Sequence, residues 1–284
     1  KTHTIVGRVK QESPFCPDIA ATPDGKQVWF TLKDVGRTQV FSARPPFAPL
    51  KTIETGPITN HVNIVSTKAG QFAYVTIGGL NQLKVFRTDD FSQVATIATG
   101  ALPHGLWPSG DGSRVYVGLE NADMAAVIDT ASNTVIAEVP IGQGPQGVAY
   151  VPNAVPEGDG KQNLQPLGAA GKTSALTLTG SDDKPATQVT LFDQGVLQTL
   201  QAAVTGLPAK MPFVLALAAN PKGATGLEPL AAFMTNPAGA AIVNAIGPIR
   251  QVTRTDAGAS RRYLVVVSGK PGELGSVVQM QTVD

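Results

Sequence analysis

Pro103-His104-Gly105-Leu106-Trp107-Pro108-Ser109-Gly110-Asp111-Gly112-Ser113-Arg114-Val115-Tyr116-Val117 opens a unit that continues through Val127-Ile128-Asp129-Thr130 and closes at Asn133-Thr134-Val135-Ile136-Ala137-Glu138-Val139-Pro140-Ile141-Gly142. The unit has earlier copies. One carries Gly70, Tyr74-Val75-Thr76, Val85-Phe86-Arg87-Thr88 and Val94 to Gly100; the one before it carries Pro23-Asp24-Gly25, Val28-Trp29-Phe30-Thr31 and Val40-Phe41-Ser42. The turn glycines Gly25, Gly70 and Gly112 are 45 and 42 residues apart. A further copy opens at Pro145-Gln146-Gly147-Val148-Ala149-Tyr150 and breaks off. Each copy holds about four short runs of alternating apolar residues parted by Gly, Asp or Asn, the pattern of strands with one buried face. A four-stranded sheet per unit of roughly 40–50 residues is the size of a propeller blade, which must stack on neighbours to bury its faces.

These residues resemble the YVTN family of β-propeller repeats, whose blade reads P-x-G, D-G, Y-V, V-I-D-T and a closing I-x-x-G. The copy beginning at Pro103 matches at nearly every point. The earlier two are degenerate: Cys16 and His61 stand where Pro103 stands, and Phe86-Arg87 replace Ile128-Asp129. The resemblance covers residues 1–152 and implies an exported bacterial or archaeal protein, periplasmic or secreted.

Composition agrees with a folded, punctuated chain. Over 284 residues, hydrophobic types make up 42% and charged types 15%, enough to build a core, and Gly (30) and Pro (22) are abundant without collagen-like period. Lys plus Arg (22) against Asp plus Glu (21) leaves no basic excess to track phosphates, so nucleic acid is not an expected partner. A single cysteine, Cys16, excludes an internal disulfide and a Cys-rich zinc module. No run of 18 apolar residues provides a transmembrane segment. The chain opens at Lys1 without Met or signal peptide and reads as a processed, trimmed or truncated product.

Blade arithmetic raises a question. Propellers need about 4–8 blades to close. The repeats supply about three, with a closing strand at His3–Val9 and an opening strand at Gly147–Val151. Missing blades from the same gene or another chain are expected as partners, with self-association into a ring as the rival, alongside a protein or small-molecule ligand.

The second half differs. Residues 153–172 are rich in Pro, Gly and mixed charge and read as a linker. Over 173–284 the blade motif is gone, and strands are predicted at Ala175–Leu178, Thr187–Phe192, Thr199–Val204, Phe213–Ala218, Ala231–Met234, Ala241–Val243, Tyr263–Val267 and Ser276–Gln281. That spacing suggests a small β-sandwich-like domain. The stretch Gly206-Leu207-Pro208, Phe213 to Leu217, Phe233-Met234-Thr235 and Gly239 is loosely similar to the sandwich domain of anti-sigma-K factors. A helix over Gly195–Val204 is the alternative there, because Leu197, Leu200, Gln201 and Val204 share a helical face. The expected class is therefore all-β, a partial β-propeller followed by a sandwich-like domain.

Most catalytic patterns fail on inspection. Gly142-Gln143-Gly144-Pro145-Gln146-Gly147 has the dinucleotide spacing, but a strand pattern follows it where a helix is required. Gly171-Lys172-Thr173 ends like a phosphate loop, but its first glycine is replaced by Pro166. No G-x-S-x-G, H-E-x-x-H or EF-hand pattern occurs. The repeated aromatics Trp29, Tyr74 and Tyr116 read as inter-blade core.

What remains is a periodic polar set. Asp18, His61, His104 and Gln146 follow one another at 43, 43 and 42 residues, each where the chain enters a blade's first strand. A propeller gathers those strands around its axis, so these four residues are candidate ligand-binding groups at one channel mouth. Asn63 is placed to face the same channel. With Cys16, the two histidines are also candidate ligands for Zn or Cu. The competing reading is a solvated polar rim with Cys16 packed as a small apolar residue. The first functional expectation is a binding or scaffold protein using the axis or the blade faces. The alternative is a metal-dependent enzyme or electron-transfer protein, lactonase- or lyase-like, acting at the channel mouth.

Overall fold

A computed structural model describes residues 3–154, 173–180, 183–222, 225–253 and 261–283. The chain divides into two compact units, Lys1–Pro166 and Leu167–Asp284. Nearly all of the linker predicted at 153–172 lies outside the described residues.

The first unit is propeller-like, with three four-stranded antiparallel sheets in simple meander order. The first sheet contains β1 (Ile19–Ala21), β2 (Gln27–Leu32), β3 (Arg37–Ser42) and β4 (Pro49–Glu54). The second contains β5 (Thr59–Thr67), β6 (Gly70–Ile77), β7 (Gln82–Arg87) and β8 (Gln93–Ala98). The third contains β9 (Pro103–Pro108), β10 (Arg114–Leu119), β11 (Met124–Asp129) and β12 (Thr134–Pro140). The opening strands β1, β5 and β9 run beside one another, which gathers the strand starts of all three sheets.

Alternation drives this stacking. Trp29, Val40 and Ile53 of the first sheet pack against Val62, Ile64, Val75 and Phe86 of the second. On the other side of the second sheet, Val65, Tyr74, Leu83 and Val85 pack against Leu106, Val115, Val117 and Ile128 of the third. Trp29 and Tyr74 are fully buried, as core aromatics should be. Tyr116, the third of the series, is half-buried and stacks on Tyr150, with ring centroids 5.5 Å apart and planes 3° apart.

Two predicted strands do not form. His3–Val9 and Gly147–Val151 lie outside any ladder. Apolar alternation marks a face able to be buried; a ladder also needs a partner strand, and neither segment has one. Ile5 and Val6 are 70% and 80% exposed. The other segment starts close against the third sheet, where a Cβ on Gly105 would be 3.1 Å from Gly147 Cα and from the Val148 nitrogen.

The second unit holds eight strands: β13 (Thr173–Thr179), β14 (Thr187–Asp193), β15 (Gln198–Val204), β16 (Pro212–Ala218), β17 (Glu228–Met234), β18 (Ala241–Gly247), β19 (Tyr263–Lys270) and β20 (Glu273–Gln281). Each covers a predicted strand, and Gln198–Val204 is a strand, not the alternative helix. Where a sandwich would have two facing sheets, the ladders run continuously in the order β17-β16-β19-β20-β13-β14-β15-β18. The sheet curls until its end strands β17 and β18 lie alongside each other, a nearly closed barrel. One core fills it, with Leu178, Leu191, Leu200, Leu215, Val243 and Val266 all buried. The order of pairing decides between one curled sheet and two facing ones, and each strand's own periodicity is the same in both.

Candidate functional site at the opening strands

Threonines at one repeat position set the inner strands. Thr31 of β2 accepts the Asp18 amide at 3.1 Å and donates across to the Asn60 carbonyl at 2.7 Å. Thr76 of β6 accepts the His61 amide at 2.9 Å and donates across to the His104 carbonyl at 2.7 Å. The third sheet has Gly118 at that position, which leaves room for the Pro145 carbonyl.

This framework brings Asp18, His61, His104 and Gln146 together. Asp18, just ahead of β1, reaches into the second sheet: its Oδ2 accepts the Val62 amide at 3.0 Å and lies 3.4 Å from His61 Nδ1. The His61 and His104 rings are 4.7 Å apart by centroid, tilted by 57°. His104 Nδ1 is 3.0 Å from the Gln146 carbonyl. A carbonyl only accepts, so in the neutral ring the proton sits on Nδ1 and Nε2 keeps its lone pair. That Nε2 is 3.9 Å from Glu120 Oε2, and the Gln146 side-chain amide donates to Glu120 Oε1 at 2.9 Å. Asn63 is occupied otherwise; its amide donates to the Leu106 carbonyl at 3.4 Å.

Electrostatics keep both rings uncharged at neutral pH. Burial pushes the His104 pKa down to about 4, helped by His61 and Lys33 and opposed by the Gln146 carbonyl. Burial also lowers His61, with Asp18 opposing and Lys33 reinforcing. Lys33 is itself lowered by burial, against the pull of Glu120. The site therefore combines two neutral imidazoles, two carboxyl groups and an amine.

Lys33 and Glu120 were not among the sequence candidates. Both stand four residues after the repeated aromatic, at a position filled by Lys33, Gly78 and Glu120 in successive sheets. Counting from Trp29, Tyr74 and Tyr116 finds them, whereas residue identity does not.

Among the described residues, no group of three or more His, Cys, Asp or Glu side chains is arranged to hold a metal ion. Cys16 hydrogen-bonds the Asp18 carbonyl at 3.3 Å, and burial raises its pKa.

No family model and no curated protein matches the chain. Among solved structures it is similar to the Kuenenia stuttgartiensis hydrazine synthase, at 16% identity over 97% of this chain and 69% of that one, with a TM-score of 0.44. It is similar to a functionally unknown protein from Desulfotomaculum acetoxidans, at 13% identity over 95% and 73%, with a TM-score of 0.43. A putative 6-phosphogluconolactonase from Bacteroides uniformis matches at 17% identity over 84% and 60%, with a TM-score of 0.42. These likenesses concern fold and carry no chemistry to this chain. Among the described residues, no helix is long and apolar enough to cross a membrane.

Proposed function

We propose that this chain is an extracytoplasmic, YVTN-like β-propeller binding protein that holds a small, hydroxyl-rich ligand where its opening strands meet. The observation that carries this reading is the His104 ring: its Nδ1 is committed to the Gln146 carbonyl, and its Nε2 stands beside Glu120. A lone pair next to a carboxyl group matches a ligand that donates hydrogen bonds, and Lys33 supplies a donor in return. The experiment is the double variant His61→Ala, His104→Ala, assayed by ligand-observed NMR against a panel of sugars and polyols and by elemental analysis for metal. Binding lost with the fold intact supports the reading. Unchanged binding removes it, and a metal that leaves with the histidines replaces it with the metal-dependent alternative.

The partner side of the proposal is a further blade on the third sheet, from the same gene or another chain. Trp29 and Tyr74 are each buried beneath the next sheet. Tyr116 occupies the same position under the single ring of Tyr150, and Trp107, paired with Tyr116 across the ladder, is 44% exposed.

A further inference from the structure

Among the described residues, two lysines are half-buried, Lys33 and Lys84, and the others are exposed. The two differ in what holds the amine. Lys84 Nζ donates to the Thr55 carbonyl at 2.6 Å. Lys33, just after β2, makes no hydrogen bond and no ion pair through its amine among the described residues. It meets the Phe15 ring, whose centroid is 5.9 Å from Nζ, and its backbone amide donates to the Phe15 carbonyl at 3.3 Å. A half-buried amine beside an aromatic face and without an acceptor is poorly solvated, which is the usual setting of a lysine that acts as a nucleophile.

The repeat sets where that amine stands. Lys33 follows Trp29 by four residues, as Glu120 follows Tyr116. In the third sheet this position lies between two opening segments: Glu120 Oε2 is 3.9 Å from His104 Nε2, and Oε1 accepts from the Gln146 side chain at 2.9 Å. In the first sheet the same position falls beside Asp18 and His61, and the charge of Lys33 is felt at both imidazoles and at Glu120. An amine and a carboxyl group thus flank the histidine pair.

We propose that Lys33 captures the carbonyl carbon of a hydroxyaldehyde as a Schiff base. The inference rests on the reading of this site as a holder of hydroxyl-rich ligands, and it names the kind that the chain would bind covalently. The nitrogen attacks the carbonyl carbon and a C–N bond forms. The carbon–oxygen bond then breaks, and the oxygen leaves as water with two of the three ammonium hydrogens. An ammonium and an aldehyde become a protonated imine and water, so charge is conserved and nothing is oxidised or reduced. The lone pair of His104 Nε2, free of the backbone, relays the protons from nitrogen to oxygen. Glu120 accepts hydroxyls on the neighbouring carbons.

The test incubates the full chain at neutral pH with glyceraldehyde and sodium cyanoborohydride, which reduces an imine to a stable amine, and follows each lysine by peptide mass mapping. Labelling of Lys33 at least tenfold faster than of the exposed Lys68 is expected, with Lys84 slower than Lys68. Lys33→Met, with its thermal midpoint checked, should remove the fast phase, and Lys84→Met should leave it. A smaller ratio overturns the proposal, as does a fast phase that persists in Lys33→Met. Threitol, a polyol without a carbonyl group, separates this proposal from the function it rests on. Saturable threitol binding by ligand-observed NMR without fast labelling removes the Schiff base alone, and the absence of both removes the two together.

Discussion

The Thr76 hydroxyl donates to the His104 carbonyl at 2.7 Å, from the second sheet to the opening strand of the third. Thr31 makes the corresponding bond to Asn60 one sheet earlier. The inner strands are thus held by side-chain bonds repeated at the blade period, and the imidazoles ride on the strands so held. Thr76 is fully buried. Thr76→Val keeps the shape but strands the His104 carbonyl and the His61 amide, at a cost of about 1–3 kcal/mol. Urea denaturation should show the lower midpoint, and two-dimensional NMR should show shifted resonances for both rings. An unchanged midpoint would mean that the threonine ladder does not support the site.

The acid response follows from the depressed imidazoles. His104 has a folded pKa of about 4 against an ordinary 6.5, and His61 is shifted the same way. A base with a depressed folded pKa takes up its proton more readily in the unfolded chain. Stability is therefore full above about pH 6.5 and falls as pH drops towards 4, by on the order of 3 kcal/mol for His104. His104→Gln should flatten that limb of the stability profile, measured as thermal midpoint against pH. A variant that retains the wild-type acid slope would place the loss elsewhere.

Backbone packing between sheets gives a sharper contrast. Gly112 has φ of +70°, and a Cβ there would lie 2.0 Å from the Ser66 carbonyl oxygen, whereas a Cβ on Gly110 would meet open space. The left-handed conformation alone costs an alanine about 1–2 kcal/mol, before the neighbouring turn is forced away. Gly112→Ala should lower the thermal midpoint by several degrees, and Gly110→Ala should leave it almost unmoved. Equal effects would contradict the close approach of the two sheets.

Much of this arrangement was legible in the chain because it repeats. Trp29, Tyr74 and Tyr116 mark the same place in three sheets, and Asp18, His61, His104 and Gln146 mark another, so counting alone brings them together. Lys33 and Glu120 escaped because their position carries a different residue in each copy. Gly147–Val151 has the alternation of a strand but no partner to pair with. In the second unit the strands were readable one by one. The ladder from β17 round to β18 was not, because pairing between distant strands leaves no local mark on either of them.

The barrel-like unit should fold without the repeats. Most of its interior residues come from β13 to β16, β18 and β19 of the same sheet, joined by Ile249 and Val252, and Val214, Ala216, Ala218, Val265 and Val267 form a second buried cluster on β16 and β19. A chain that closes its own core has what an independent domain requires. Residues 173–284 expressed alone should unfold in a single cooperative transition with the far-ultraviolet signature of strands. Leu215 is fully buried in that interior, so Leu215→Ala in the fragment should cost about 2–5 kcal/mol while keeping the transition sharp. A broad, gradual melt of the unsubstituted fragment would show that this sheet depends on the rest of the chain to close.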